Sequence, residues 1–190
     1  DREVAGSQVW LRHQEDAAQA LGLNWLDADA KFQDVRNPLR RGRPSVRLIG
    51  ELLASIPDAG ELVETWLRQL VFHVVIGNND AHAKNVALIH EETGTRLAPV
   101  YDAVPNLFQA DRIDWNLALS IDRVFDYRNL SVAHLVAEAD SWAALSSGRA
   151  DALIPDMPSR LDSAVAELKP PRGCSPALPE RVAGNLQQLR

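Results

Sequence analysis

Residues 60–85 read GELVETWLRQLVFHVVIGNNDAHAKN. Apolar side chains fall at 62, 63, 66, 67, 70, 71, 74 and 75, pairs that repeat every four residues. That spacing draws one continuous stripe along an α-helix. Phe72 and Ile76 widen the stripe at its end, so the last turns are expected to be buried on most sides. Gly77 stops the helix, because glycine adopts the positive φ that a helix terminus often requires. His73, inside the apolar stretch, reads as a core histidine supporting the next segment rather than as a metal ligand. That segment is abruptly polar: Gly77–Asn85 holds one acid, one histidine, one lysine and three asparagines. A buried helix thus delivers a polar loop to a fixed place.

Working outward, VALIH (86–90) and TRLAPV (95–100) are short extended runs separated by EETG. Gly94 suits a tight turn, so residues 86–98 are predicted to form a β-hairpin that carries Asp102 back towards Asn85. Upstream, the alanines at 17, 18 and 20 favour a short helix ended by Gly22. Arg36, Arg40, Arg41, Arg43 and Arg47 lie in a stretch broken by Pro38, Gly42 and Pro44, which predicts a basic loop, either solvated or in contact with an acidic partner, a phosphate or nucleic acid. Helical spacing returns from Ser45 to Ile56, with Leu48, Ile49, Leu52, Leu53 and Ile56 expected on one face. Downstream, WNLALSI (115–121) is either extended or the start of a helix. NLSVAHLVAEADSWAAL (129–145) predicts a helix with Ser131 at its N-cap. Pro155 and Pro158 predict an interruption, with helices beyond it near 159–168 and 179–190 joined by KPPRGCSP. The expectation is one domain over 1–190, mainly α-helical with a small β-hairpin.

A net charge of −6 and a pI near 5.3 argue against a general nucleic-acid binder. Cys174 is the only cysteine, which excludes an internal disulfide and fits a reducing cytoplasm. No apolar run approaches the roughly 18 residues that a membrane span needs. The chain opens at Asp1 and its one methionine is Met157, so a piece of a longer protein is expected.

The polar loop has the makings of a phosphoryl-transfer site. Transfer to a hydroxyl needs a group that positions the nucleophile and ligands that hold Mg²⁺ against the phosphates. Protein kinases supply an Asp, an Asn five residues later, and a second Asp beyond a hairpin. Asp80 and Asn85 have that spacing, and Asp102 has that place. Turn-capping by Asx residues would account for one such pair, but not for the order helix, Asp, Asn, hairpin, Asp. Ligation of a metal in a hydrolase by Asp80, His82, His90 and Asp102 is the enzymatic rival, without any established metal-ligand spacing behind it.

GNNDAHAKN and, beyond it, RLAPVYDAVP (96–105) resemble the C-terminal part of the HipA-type serine/threonine kinases, the toxins of bacterial toxin–antitoxin systems. RHQEDAAQALGL (12–23), KFQ (31–33) and HLVAEADSW (134–142) resemble stretches of that family in the same order. The likeness covers roughly residues 10–145. It implies a kinase-like fold, represented here by its mostly helical C-terminal lobe. It further implies that Asp80 is the catalytic base or hydroxyl-orienting acid and that Asn85 and Asp102 ligate Mg²⁺. His82, Ala83 and Lys84 would lie beside the ATP phosphates, with Lys84 neutralising charge and His82 either there or holding the loop through hydrogen bonds. The partners implied are a protein substrate and an antitoxin of the HipB kind, with nucleic acid reached only through that antitoxin, and no membrane.

The loop has Asn78 and Asn79 where eukaryotic kinases have His-Arg before the Asp, and Asp102-Ala103-Val104 in place of Asp-Phe-Gly. Both departures fit the HipA family. In GRPS (42–45), Arg43 stands where relatives often have a second glycine. No G-x-G-x-x-G loop occurs, and Lys31, Lys84 and Lys169, the only lysines, lie outside the strand context of a phosphate-anchoring kinase lysine. The family supplies those parts from an N-terminal lobe, which would precede Asp1. Two functions are expected in consequence: an ATP-dependent kinase when both lobes are present, or a non-catalytic half-kinase that binds an antitoxin or another partner.

Overall fold

The computed structural model describes residues 2–108, 114–143, 145, 148–167, 169, 172–173 and 175–188. The central element is the helix α3 (Gly60–Val75), on which Leu62, Val63, Trp66, Leu67, Leu70, Val71, Val74 and Val75 are all buried. Gly77 lies just past it at φ +68°, and a Cβ there would come within 2.9 Å of the Phe108 ring. The left-handed turn and the packed ring together require glycine. The carbonyls of Val74 and Val75 at this helix end both accept from the buried Asn185 amide, at 3.0 and 2.9 Å. Groups that a helix terminus leaves open are therefore closed from another element.

Helix α2 (Val46–Ala54) starts at Ser45, whose hydroxyl accepts from Leu48 N–H at 3.0 Å. Its buried face is Val46, Ile49, Gly50 and Leu53. Leu48, expected on that face, is 41% exposed instead, because it lies off the 46/49/50/53 row that meets α3. Helix α4 (Val132–Asp140) begins after Ser131, as expected. Just beyond it, Trp142 stacks on Trp66 with ring centroids 6.3 Å apart. The same indole lies against Gly50: a Cβ there would come within 2.6 Å of Trp142 Cγ. Gly50→Ala should therefore destabilise the protein by about 1–3 kcal/mol through overpacking, although alanine is the better helix former by about 1 kcal/mol. Urea unfolding of the two proteins checks the sign.

The hairpin is present as β4 (Ala87–Glu91) and β5 (Gly94–Leu97), paired antiparallel with Leu88 opposite Leu97. It is not alone. Strand β3 (His13–Asp16) adds to its other edge, with Gln14 opposite Ile89, and runs directly into the short helix α1 (Ala17–Ala20). A ribbon of β1 (Arg2–Ala5) and β2 (Gln8–Leu11) precedes them, and β6 (Asn116–Ile121) pairs with β7 (Val124–Asp126). The expectation of one small hairpin is thus corrected, among the described residues, to three small sheets around a mainly helical core. HQED carries no apolar alternation; it becomes a strand by pairing with the buried β4 backbone.

Pro155 and Pro158 do not break the chain. Helix α5 runs unbroken over Arg149–Glu167. Pro155 removes one N–H bond to the preceding turn, but Ala150 and Ile154 are buried and Leu153, Met157, Leu161 and Val165 pack against the core. That continuous apolar row holds the helix together across the proline. Helix α6 (Leu178–Gln188) buries Val182 and Leu186 in the same core. Much of the KPPRGCSP connector lies outside the described residues. Among the described residues no helix is long and apolar enough to cross a membrane.

Candidate functional site

The polar loop leaves α3 under control from two sides. The Asn78 N–H donates to the His73 carbonyl at 2.9 Å, and the Asn78 amide meets His73 Nδ1 at 3.0 Å. The Asn78 Oδ1 in turn accepts from Asp80 N–H at 3.1 Å. Asn79 reaches the other way, donating to the Asp114 carbonyl at 2.6 Å, while its own carbonyl accepts from Ala118 N–H in β6 at 2.8 Å. Asp80, itself exposed, is therefore carried on a backbone tied to α3 and to β6. Sequence reading assigned no work to Asn78 and Asn79; these bonds supply it.

His73 is buried, and burial pushes its pKa down to about 4. It is thus neutral near pH 7, which leaves Nδ1 able to accept from the Asn78 amide. The neutral form is the folded state's preferred one, while the unfolded chain takes up a proton near the ordinary value. The stabilisation is complete above about pH 6.5 and is lost as pH falls towards about 4, reaching roughly 3 kcal/mol. His73→Gln should flatten that acid-side decline, as measured by urea midpoints between those two pH values.

Residues Ala83–Asn85 form one 3-10 turn. The Asn85 side chain is buried and spans the site: its Oδ1 accepts from His82 N–H at 3.1 Å, and its Nδ2 donates to Asp102 Oδ2 at 2.9 Å. A backbone donor on one side and a carboxylate on the other fix which end of the amide is which. Asp102 arrives by the hairpin. Ala98 N–H donates to the Ala87 carbonyl at 2.8 Å, and the buried Gln69 of α3 donates to the Ala98 carbonyl at 2.8 Å. Tyr101 Oη then donates to the Lys84 carbonyl at 2.5 Å. Burial, with Asp16 and Asp102 nearby, pushes the Tyr101 pKa up to about 12, so the phenol stays protonated and remains a donor. Asp102 sits at φ +52°, a left-handed conformation that Asp tolerates better than most residues.

His82 is buried on the same loop. Its pKa is lowered by burial and then by the Lys31 charge, against the opposing pull of Asp80 and Asp102. The Phe32 ring meets the imidazole edge-on with centroids 5.3 Å apart. The imidazole Nδ1 is buried without a hydrogen-bond partner, while the His82 backbone bonds Asn85 twice: its N–H donates to Asn85 Oδ1 at 3.1 Å and its carbonyl accepts from Asn85 N–H at 2.8 Å. Ala83 is fully buried, and Lys84 is exposed.

The structure therefore brings Asn85 and Asp102 into direct contact, with Asp80 on the loop that presents Asn85. His90 is elsewhere, between Glu15 at 2.9 Å and Thr95 at 3.2 Å. Among the described residues no three His, Cys, Asp or Glu side chains are grouped to hold a metal, which removes the support for a hydrolase metal centre. The Asn85–Asp102 pair does suit a hard cation that prefers oxygen ligands and draws the rest of its shell from water and phosphate. Asp102 is exposed and has a further carboxylate oxygen, and Asn85 Oδ1 accepts one hydrogen bond, leaving a second lone pair. Three of the five arginines of the basic stretch pair with acids that flank it: Arg40 with Asp34 at 3.0 Å, Arg43 with Asp27 at 2.9 Å and Arg47 with Glu51 at 2.7 Å.

Comparison with known proteins places the chain in a family. The chain is 29% identical over 132 residues to protein Y4mE of Sinorhizobium fredii, whose name marks it as a proposed kinase; the match covers 68% of this chain and 27% of that protein. It is 29% identical over 147 residues to the serine/threonine-protein kinase toxin HipA of Shewanella oneidensis MR-1, covering 73% of this chain and 33% of the toxin. The chain thus matches about a third of the length of these relatives. A solved complex of Shewanella oneidensis MR-1 HipA with HipB and operator DNA has the same fold. Its TM-score is 0.77 at 24% identity, and the match covers 100% of this chain and 45% of that one. Residues 1–165 match the HipA-like C-terminal domain, and the chain belongs to that family.

Proposed function

We propose that this chain carries the hydroxyl-orienting and metal-holding half of an ATP-dependent serine/threonine protein kinase of the HipA type. The observation that carries the reading is the 2.9 Å contact between Asn85 and Asp102, side chains from two segments separated by a hairpin, with Asp80 on the loop that presents Asn85. Turn-capping of each residue by its own backbone would not bring them together.

In this reading Asp80 accepts a hydrogen bond from the substrate hydroxyl and aims its oxygen at the γ-phosphorus. As the hydroxyl oxygen bonds to the γ-phosphorus, the bond to the β–γ bridging oxygen breaks, ADP leaves and the proton passes to the Asp80 carboxylate. Asn85 Oδ1 and the Asp102 carboxylate would hold Mg²⁺, which would neutralise charge on the phosphates. The Asn85–Asp102 hydrogen bond keeps the two ligands aligned before the ion arrives. His82, Ala83 and Lys84 form the wall beside the phosphates. Ala83 is buried and small, so the backbone can pass closely there, and the Lys84 ammonium is free to meet negative charge. The partners that accompany this reading are a protein with a Ser or Thr hydroxyl and an antitoxin like the HipB of the matched complex, through which DNA would be reached indirectly. A cytoplasmic setting, where ATP and Mg²⁺ are held, goes with it.

The test is transfer of labelled γ-phosphate from ATP to protein hydroxyls by the full-length protein that contains this chain, with and without Mg²⁺. Mg²⁺-dependent labelling of Ser or Thr is the expected result. Nucleotide binding without any transfer, to itself or to lysate proteins, would support a partner-binding half-kinase instead.

A further inference from the structure

We propose that Lys31, outside the polar loop, is a second cation of the phosphate wall and contacts the γ-phosphate of the bound nucleotide. The inference rests on the kinase reading above and adds a residue to it.

Lys31 closes the 3-10 turn Ala28–Lys31, far from Lys84 in sequence. The fold nevertheless sets the two lysines on one cleft of about 200 Å³, lined also by Asp16, Trp25 and Asp27. The placement is rigid. Gln33 N–H donates to the Ala118 carbonyl at 3.0 Å, and Ala118 N–H donates to the Asn79 carbonyl at 2.8 Å. One residue of β6 therefore pins both the segment of Lys31 and the loop of Asp80. Gln33 Oε1 also accepts from Ser120 N–H at 2.7 Å. Lys31 Nζ lies 4.9 Å from the centre of the Phe32 ring, and that ring meets His82 edge-on.

The charges on the cleft decide what it lacks. Asp16 is occupied in capping α1, accepting from Gln19 N–H at 2.8 Å. Asp27 is occupied by Arg43 at 2.9 Å and by Asp29 N–H at 3.0 Å. Lys31 and Lys84 have no anionic partner among the described residues. Lys31 is half-buried as a residue and beside an aromatic ring, and a phosphate oxygen would give its ammonium the anionic partner it lacks. Two of the chain's three lysines thus flank one cleft, and Lys84 directly precedes Asn85 in the polar loop.

The test measures binding, not turnover. The full-length protein is titrated with Mg²⁺ plus either ADP or a non-hydrolysable ATP analogue. Lys31→Met should weaken the analogue about tenfold or more while leaving ADP within about twofold, because only the analogue carries the γ-phosphate that the ammonium would meet. Lys31→Arg should recover most of the loss, and thermal unfolding should show the Met variant folded. Equal weakening of both nucleotides, or of neither, overturns the inference. If the unmodified protein binds no nucleotide, the kinase reading itself falls and takes this inference with it. If it binds and only Lys31 proves silent, the kinase reading stands alone.

Discussion

In the full-length protein, Asp80→Asn is expected to lower kcat by about 10²–10⁴-fold while nucleotide affinity stays nearly unchanged. The change keeps the side chain's shape and removes its charge. Asp80 is exposed, so the substitution leaves no buried group without a partner. The loop's shape depends on other bonds: Asn78 to His73, Asn79 to Asp114 and β6, and the Asp80 backbone N–H to Asn78. None of them uses the Asp80 carboxylate. The loss therefore reads as chemistry, not as unfolding. Phosphorylation rates at saturating ATP, paired with an ATP titration, separate kcat from affinity. Near-normal turnover would remove Asp80 from the reaction.

Asp102→Asn is expected to act differently. It replaces a charged oxygen ligand by a neutral amide, so the Mg²⁺-dependent part of nucleotide binding should fall by about 10–100-fold, with turnover falling further. It also converts the charge-assisted bond from Asn85 into a neutral one, a difference on the order of 1 kcal/mol. The pair would then be less well aligned in the absence of metal. Titrations at several Mg²⁺ concentrations check this. Wild-type affinity at low Mg²⁺ would show that Asp102 is not a ligand. The contrast between the two variants matters more than either alone, because a general loss of fold would affect both measurements in both proteins.

The sequence was most legible where burial and local geometry agreed. The apolar pairs of residues 62–75, the Gly77 stop and the Gly94 turn each dictate their structure locally, and α3 and the β4–β5 hairpin appear where expected. Ser45 and Ser131 mark their helix starts for the same reason. The errors have one physical source, contacts distant in sequence. Strand β3 is made of His13, Gln14, Glu15 and Asp16, and only its partner β4 makes it a strand. Pro155 lies inside α5 because a buried row on either side outweighs one missing hydrogen bond.

The site divides in the same way. The spacing of Asp80, Asn85 and Asp102 was visible, since the hairpin between them is a local structure. The duties of Asn78 and Asn79 were not, because their partners are in α3 and around β6. Lys31 was invisible as a site residue for a like reason: Ala118, about 90 residues away, brings it to the loop. A signal did exist, in the scarcity of lysine and the position of Lys31 beside Phe32 and Gln33.

The central claim is that Asn85 and Asp102 hold the metal that serves phosphoryl transfer from the side where Asp80 stands. Its most direct test is a crystal of the full-length protein with a non-hydrolysable ATP analogue and Mn²⁺ in place of Mg²⁺, with the ion located by its anomalous scattering. The account predicts an Mn²⁺ peak within about 2.0–2.3 Å of an Asp102 carboxylate oxygen and of Asn85 Oδ1, with the Asp80 carboxylate facing the γ-phosphate and outside the coordination shell. A nucleotide-bound metal held by other side chains, with Asn85 and Asp102 bonded only to each other, would contradict it.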